Sequence, residues 1–320
     1  MIQRSKLWAK SWVWLTILLL TGCKVSSSSD SHHDKYGGEP DTRGYFLDAR
    51  DTGRYFPTAS WSLNHATGAC VGENLYFETA DGRIRVYGSP AYSETAFRAA
   101  AAELDERIDG VLERFHMSWP DFINERSSAA PYPRRLLGCL SPTVNAAELS
   151  SASLAAVAIA PYPGAWPYDA GRIFTHDLAH YVQENLSRYR SDRSLLPYWF
   201  AEGQATLVAA EPVAPSYQHY DYDPLWDVTA DDAGTASYRY EHYGLAYRYL
   251  ESANSALTMT LLLDLVQFMD WKAEYPGFIS SGESRAFVEA FDAMHLVDHR
   301  GHYLSFARFR SDYHLLVGGI

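Results

Sequence analysis

Thr175-His176-Asp177-Leu178-Ala179-His180-Tyr181-Val182-Gln183, followed by Pro197-Tyr198-Trp199-Phe200-Ala201-Glu202-Gly203-Gln204-Ala205, is the stretch on which the reading of this chain turns. His176 and His180 stand four residues apart, just over one helical turn, so a helix projects both imidazoles from one face. Ile173, Leu178 and Val182 give that helix an apolar side, which predicts burial, and buried histidines need partners. An H-x-x-x-H pair alone is a weak signal. In a chain with 12 histidines it arises by chance roughly half the time. The second segment raises its weight. Pro197 opens a strongly apolar helix that nonetheless carries Glu202, and a buried acid is costly unless it is paired or binds a metal. Two imidazoles and one carboxylate are three ligands of a tetrahedral zinc with a fourth position open, the pattern of a catalytic site.

Together the two segments resemble the gluzincin metallopeptidases, and within them the bacterial peptidase MA-like group. That group carries H-E-x-x-H-x-x-Q, then a proline, then W-[FL]-x-E-G-x-A. The resemblance extends over about Leu75 to the C-terminus, including Ala246-Tyr247-Arg248-Tyr249-Leu250 and Ala286-Phe287-Val288-Glu289-Ala290-Phe291. It implies zinc on His176, His180 and Glu202, hydrolysis of a peptide or protein substrate, and a zincin-like fold. Asp177 stands where the family has its glutamate base, one methylene shorter, which moves the carboxylate roughly 1.5 Å from a water on the metal. Misplacement of about 1 Å can cost a hundredfold in rate. The family also places a Tyr or His to stabilise the oxyanion. In Tyr240-Glu241-His242-Tyr243-Gly244, Tyr240 is the expected residue, with His242 and Tyr243 as substitutes. Thr206 occupies a position that is acidic in many relatives, which leaves the groups orienting the ligands unassigned.

Outward from this site, the chain changes character near position 171. Before it, Leu75-Tyr76-Phe77 and Ile84-Arg85-Val86-Tyr87 flank Ala80-Asp81-Gly82 and predict a hairpin. A helix is expected from about 94 to 116, with Phe97, Ala101, Leu104, Ile108, Val111, Leu112 and Phe115 on one stripe. Further strands are expected over 135–140 and 154–160. From Gly171 the pattern is helical, over 171–187, 198–210, 238–252, 256–270, 283–294 and 303–316. The fold class is therefore α+β. An α/β N-terminal subdomain over 42–170 is expected to pack on a helical zinc-site subdomain over 171–320, with the active-site cleft between them.

The N-terminus carries Arg4, Lys6 and Lys10, then an apolar run from Ser11 to Leu20, then Thr21-Gly22-Cys23. The run is too short for a helix crossing a hydrocarbon core of ~30 Å. Basic, apolar and small residues in that order mark an export signal. Leu20-Thr21-Gly22-Cys23 resembles the lipobox of bacterial lipoproteins, which implies a lipoprotein signal peptide over 1–22 and a lipid on Cys23. A plain secretory signal and an N-terminal anchor are the alternatives, and all three export the remainder. Lys24 after the cysteine favours the outer membrane by the same analogy. Residues 23–41, rich in Ser and Gly, read as a flexible tether.

Cleavage after Gly22 removes three basic residues, leaving 27 − 3 = 24 Lys and Arg against 39 Asp and Glu, a net charge of −15. Such a balance excludes nucleic acid as a partner, because phosphate binding needs clustered cations. Cys70 and Cys139 remain in an oxidising compartment. A disulfide between them would stabilise the fold by roughly 4 kcal/mol; buried free thiols are the alternative. Two rival clusters read as loops. Arg300-Gly301 breaks any helix through His295, His299 and His302, and the segment holding Asp221, Asp223, Asp227, Asp231 and Asp232 lacks the glycine and final glutamate of an EF-hand. No nucleophile elbow, Walker loop or dinucleotide fingerprint is present. Two functions follow: an envelope-tethered zinc peptidase, or a degenerate relative that serves as a binding or scaffolding lipoprotein.

Overall fold

The computed structural model describes residues 75–79, 81–89, 91–123, 135–141, 150–152, 156–160, 170–187, 195–215, 225, 236–272 and 284–318. All of them fall in one compact unit, Glu39–Ile320. The signal peptide, the tether, Cys23, Cys70 and the five loop aspartates lie outside the described residues.

The expected hairpin is present. Strands β1 (Leu75–Glu78) and β2 (Ile84–Gly88) pair antiparallel with Phe77 opposite Val86. Gly82 closes the turn at φ 69°, a left-handed conformation that costs a residue with a Cβ. Asp81 holds the turn by accepting from the backbone N–H of Arg83 at 3.0 Å and from the Thr79 hydroxyl at 2.6 Å.

Ser93 then caps helix α1 (Glu94–Arg114), its hydroxyl accepting from the Ala96 N–H. The stripe from Phe97 to Leu112 is buried as its spacing requires. The helix returns the chain to β3 (Leu136–Leu140), which runs parallel to β2. Every β3 residue is buried, as expected of a central strand covered on both faces. Strand β5 (Val157–Ile159) continues the parallel pairing, and β4 (Ser150–Ala152) adds an antiparallel edge. The order is β1-β2-β3-β5-β4. Sequence reading missed β4, since three small residues show neither alternation nor an apolar run. Cys139, the fourth residue of β3, is disulfide-bonded and fully buried.

Among the described residues, six helices follow: α2 (Ala170–Ser187), α3 (Tyr198–Val208), α4 (Ala236–Asn254), α5 (Ala256–Lys272), α6 (Arg285–Ala293) and α7 (Phe306–Val317). The fold is mixed α/β and mostly helical. One hydrophobic cluster runs from Phe77 in β1 through Phe174 and Leu178 in α2 to Phe309 and Val317 in α7. Strands and helices thus share a core. Helix α2 packs on both α1 and α3, which holds the histidine helix between the sheet-bound helix and the glutamate helix. Among the described residues, no helix is long and apolar enough to cross a membrane.

The segment holding His295, His299 and His302 forms the expected turn. Asp298 accepts from the backbone N–H groups of Arg300 and His302 at 2.8 and 3.0 Å and from the Arg308 guanidinium at 2.6 Å. The three histidines are exposed around it.

Candidate metal centre

Helix α2 buries Phe174, Leu178, Tyr181, Val182 and Leu186. This fixes its rotation, and His176 and His180 then project together, their rings 4.7 Å apart and nearly perpendicular. Helix α3 supplies the acid. Its Gly203 sits so close to α4 that a Cβ there would lie 2.2 Å from the Tyr243 carbonyl oxygen. The two helices can approach only because that side chain is missing, and the approach aligns the neighbouring Glu202. Its Oε2 lies 3.1 Å from Nε2 of His176 and 3.3 Å from Nε2 of His180. Among the described residues, these three side chains are the one group of His, Cys, Asp and Glu placed to hold a metal ion, their ligand atoms all within 4.8 Å.

Hydrogen bonds behind the imidazoles decide which atoms face the centre. Gln183 donates its Nε2 to the Ala201 carbonyl and to Gln204 Oε1, both at 2.9 Å. Its Oε1 is therefore the atom that meets Nδ1 of His180 at 2.8 Å, and that ring nitrogen carries the proton. Gln204 is oriented in turn by donating to the Tyr247 hydroxyl at 2.7 Å. On the other histidine, Nδ1 of His176 lies 3.2 Å from Glu211 Oε1. With Nδ1 of His180 protonated and a carboxylate beside Nδ1 of His176, neutral imidazoles aim two Nε2 lone pairs at a carboxylate oxygen. Three acceptors cannot converge without positive charge between them.

In the metal-free protein protons supply that charge. Burial acts to lower the His176 pKa, but its hydrogen bonds to Glu202 and Glu211 outweigh burial and raise it to about 10. Desolvation acts to lower His180 as well, and Glu202 likewise raises it. Glu202 would be pushed up by burial, yet its two imidazole partners hold it down at about 2. A divalent cation meets the same demand, since neutral imidazoles with Glu202 and Glu211 carry two negative charges. The spacing fits as well. Bonds of about 2.0–2.1 Å in a tetrahedron separate neighbouring ligands by about 3.3 Å. The cluster can hold a metal ion.

Of the other expected residues, Asp177 lies half-buried on α2 between the two histidines. Tyr240, on α4, has its ring 6.4 Å from that of His176 and its hydroxyl 2.6 Å from the hydroxyl of Tyr198. Burial and the negative charge of Glu202 push its ionisation far above the ordinary range, so it stays protonated. Tyr243 packs against the rings of Tyr198 and Tyr240 at 5.7 and 5.9 Å. His242 is buried, and burial lowers its pKa to about 4, which keeps it neutral.

Glu211 escaped sequence reading, as did the role of Gln183. The acid that Thr206 fails to provide comes from the end of the same helix. Helix α3 closes with Ala210 N–H to Leu207 O at 3.2 Å and Glu211 N–H to Thr206 O at 2.9 Å, with Ala210 at φ 53°. These bonds make a Schellman motif, which turns the chain sharply at its left-handed residue. No glycine marks this one in the sequence.

No family model, curated protein or solved structure matches this chain.

Proposed function

We propose that this protein is a zinc-dependent peptidase of the gluzincin type with a zincin-like fold, held at the cell envelope by a lipid on Cys23. One observation carries the reading. Two imidazole Nε2 atoms face one oxygen of Glu202, while Nδ1 of His180 is bonded to Gln183 and Nδ1 of His176 lies 3.2 Å from Glu211. Nitrogen and carboxylate ligands in a set of three suit zinc with an open position. The order of elements, a mixed sheet, the histidine helix and then the glutamate helix, supports the fold assignment. The disulfide at Cys139 supports an oxidising compartment, and with it export. The outer membrane is the proposed location of the anchor.

His176, His180 and Glu202 would hold the metal, with Gln183 and Glu211 keeping the imidazoles in the required tautomer. Bound zinc supplies Lewis acidity toward a scissile carbonyl and toward water. Asp177 takes the proton of the attacking water and returns it to the leaving amine. Tyr240, kept protonated, donates to the carbonyl oxygen as that atom gains charge.

A second reading is favoured by Asp177 itself, whose shorter side chain suits a catalytically degenerate protein that binds or scaffolds without cleaving. Zinc content and cleavage of a generic peptide pool, measured for wild type, Asp177→Ala and Asp177→Glu, separate the two. Cleavage by wild type that Asp177→Ala abolishes supports the peptidase. Zinc without cleavage, with activity appearing only in Asp177→Glu, supports the degenerate protein. A purified protein that takes up no zinc overturns the peptidase and any zinc-keeping degenerate form, and leaves only a metal-free binding or scaffolding protein.

A further inference from the structure

Two buried polar side chains behind His180, Gln204 and Tyr247, have no part in the proposed reaction. Both stand where α3 crosses α4. A Cβ on Gly203 would lie 3.0 Å from that of Tyr247, so the same close approach that aligns Glu202 brings Gln204 onto the Tyr247 hydroxyl. Buried amides and phenols are costly unless paired, and here they are paired in series: His180, Gln183, Gln204, Tyr247.

One backbone atom fixes the direction of the whole series. The Ala201 carbonyl can only accept, so the Gln183 atom 2.9 Å from it is the amide nitrogen. The second hydrogen of that nitrogen needs an acceptor, which makes the Gln204 atom 2.9 Å away its Oε1. The nitrogen of Gln204 is then the atom at Tyr247, and an amide nitrogen only donates, so the phenol oxygen accepts at 2.7 Å. The ionisation of Tyr247 agrees. Burial pushes it up, and the bond from Gln204 acts in the opposite sense, as a bond donated to a phenol oxygen must.

The bond to Ala201 alone leaves the Gln183 amide free to swing, because the last torsion of a glutamine is soft. A second bond, to Gln204, fixes the plane of the amide and with it the position of Oε1. We propose that Gln204, seated on Tyr247, is a positioning residue that holds the Gln183 amide in place, so that His180 keeps its proton on Nδ1 and aims Nε2 at a metal ion. The inference rests on the cluster holding zinc. It assigns to α4, which supplies none of the three ligands, the orientation of one of them.

The test uses the full chain loaded with zinc. Zinc affinity is read by chelator competition in wild type, Gln183→Met, Gln204→Met and the double variant, whose unbranched apolar side chains fill similar space. Nitrogen-15 NMR of labelled histidine reads how fast the His180 Nδ1 proton exchanges with water. Gln183→Met is expected to weaken zinc 10–100-fold, and Gln204→Met roughly tenfold. The double variant is expected to bind no more weakly than Gln183→Met, because Gln204 acts through Gln183. Exchange at His180 should quicken in each variant while the His176 ring signals stay as in wild type, which a general loosening of the fold would not produce. Tyr247→Phe, which keeps the ring and removes only the acceptor, should move both readouts in the same direction and serves if Gln204→Met does not fold. Wild-type affinity and exchange in Gln204→Met, or in Tyr247→Phe where that variant stands in, or losses that add in the double variant, overturn this role and leave the metal centre standing. A wild type that binds no zinc overturns the metal centre, and this role with it.

Discussion

Oε1 of Glu211 lies 3.2 Å from Nδ1 of His176, on the side of the imidazole away from Glu202. A carboxylate there raises the basicity of the ring and holds its orientation, and such partners are typically worth 10–100-fold in metal affinity. Glu211→Ala should lower zinc affinity by about that range, read by chelator competition. Glu211→Gln, which can still accept from Nδ1, should lose less.

The cluster should make the metal-free protein respond to pH in a way the zinc-loaded protein does not. His176, raised from 6.5 to about 10, adds stability that is complete below pH 6.5 and lost as pH rises toward 10. Glu202, lowered from 4.5 to about 2, adds stability that is complete above pH 4.5 and lost as pH falls toward 2. The cluster therefore contributes most between pH 4.5 and 6.5 in the absence of metal. Melting temperatures across pH for wild type and His176→Ala should diverge most in that window. An equal difference at all pH values would contradict the charge pairing.

Zinc must displace those protons, so its apparent affinity should rise with pH through the neutral range. At a free concentration a hundred times the dissociation constant, zinc should stabilise the fold by about 2.7 kcal/mol. Differential scanning calorimetry with and without a chelator measures it, and His176→Ala should abolish the increment.

Gly203→Ala would place a methyl group 2.2 Å from the Tyr243 carbonyl oxygen. Backbone cannot yield as a flexible side chain does, so α3 and α4 must separate. A loss of about 3 kcal/mol in denaturant unfolding is expected, with zinc affinity falling because Glu202 moves with the helix.

Ala210 holds φ 53° at the Schellman turn that aims Glu211. Glycine adopts that conformation without the Cβ clash, so Ala210→Gly should stabilise the protein by roughly 0.5–1 kcal/mol in the same assay. Zinc affinity should hold or improve, since the turn keeps its shape.

The helices of the site and the three side chains able to hold a metal ion were legible in the chain because they are local. Spacing of four puts His176 and His180 on one helix face, and Glu202 stands out as an acid in an apolar helix opening beside Pro197. The stripe from Phe97 to Leu112 and the turn at Gly82 were readable for the same reason, each being a short pattern with one steric or hydrophobic cause. What tertiary structure alone decided are contacts between elements whose separation in sequence carries no signal. Glu211 reaches His176 through a turn at an alanine, and Tyr198 meets Tyr240 across 42 positions. Gln183 receives its orientation from Ala201 and Gln204. Periodicity tells which face a residue occupies, but only the packing of α3 on α4 at Gly203 sets which faces meet, and at what distance.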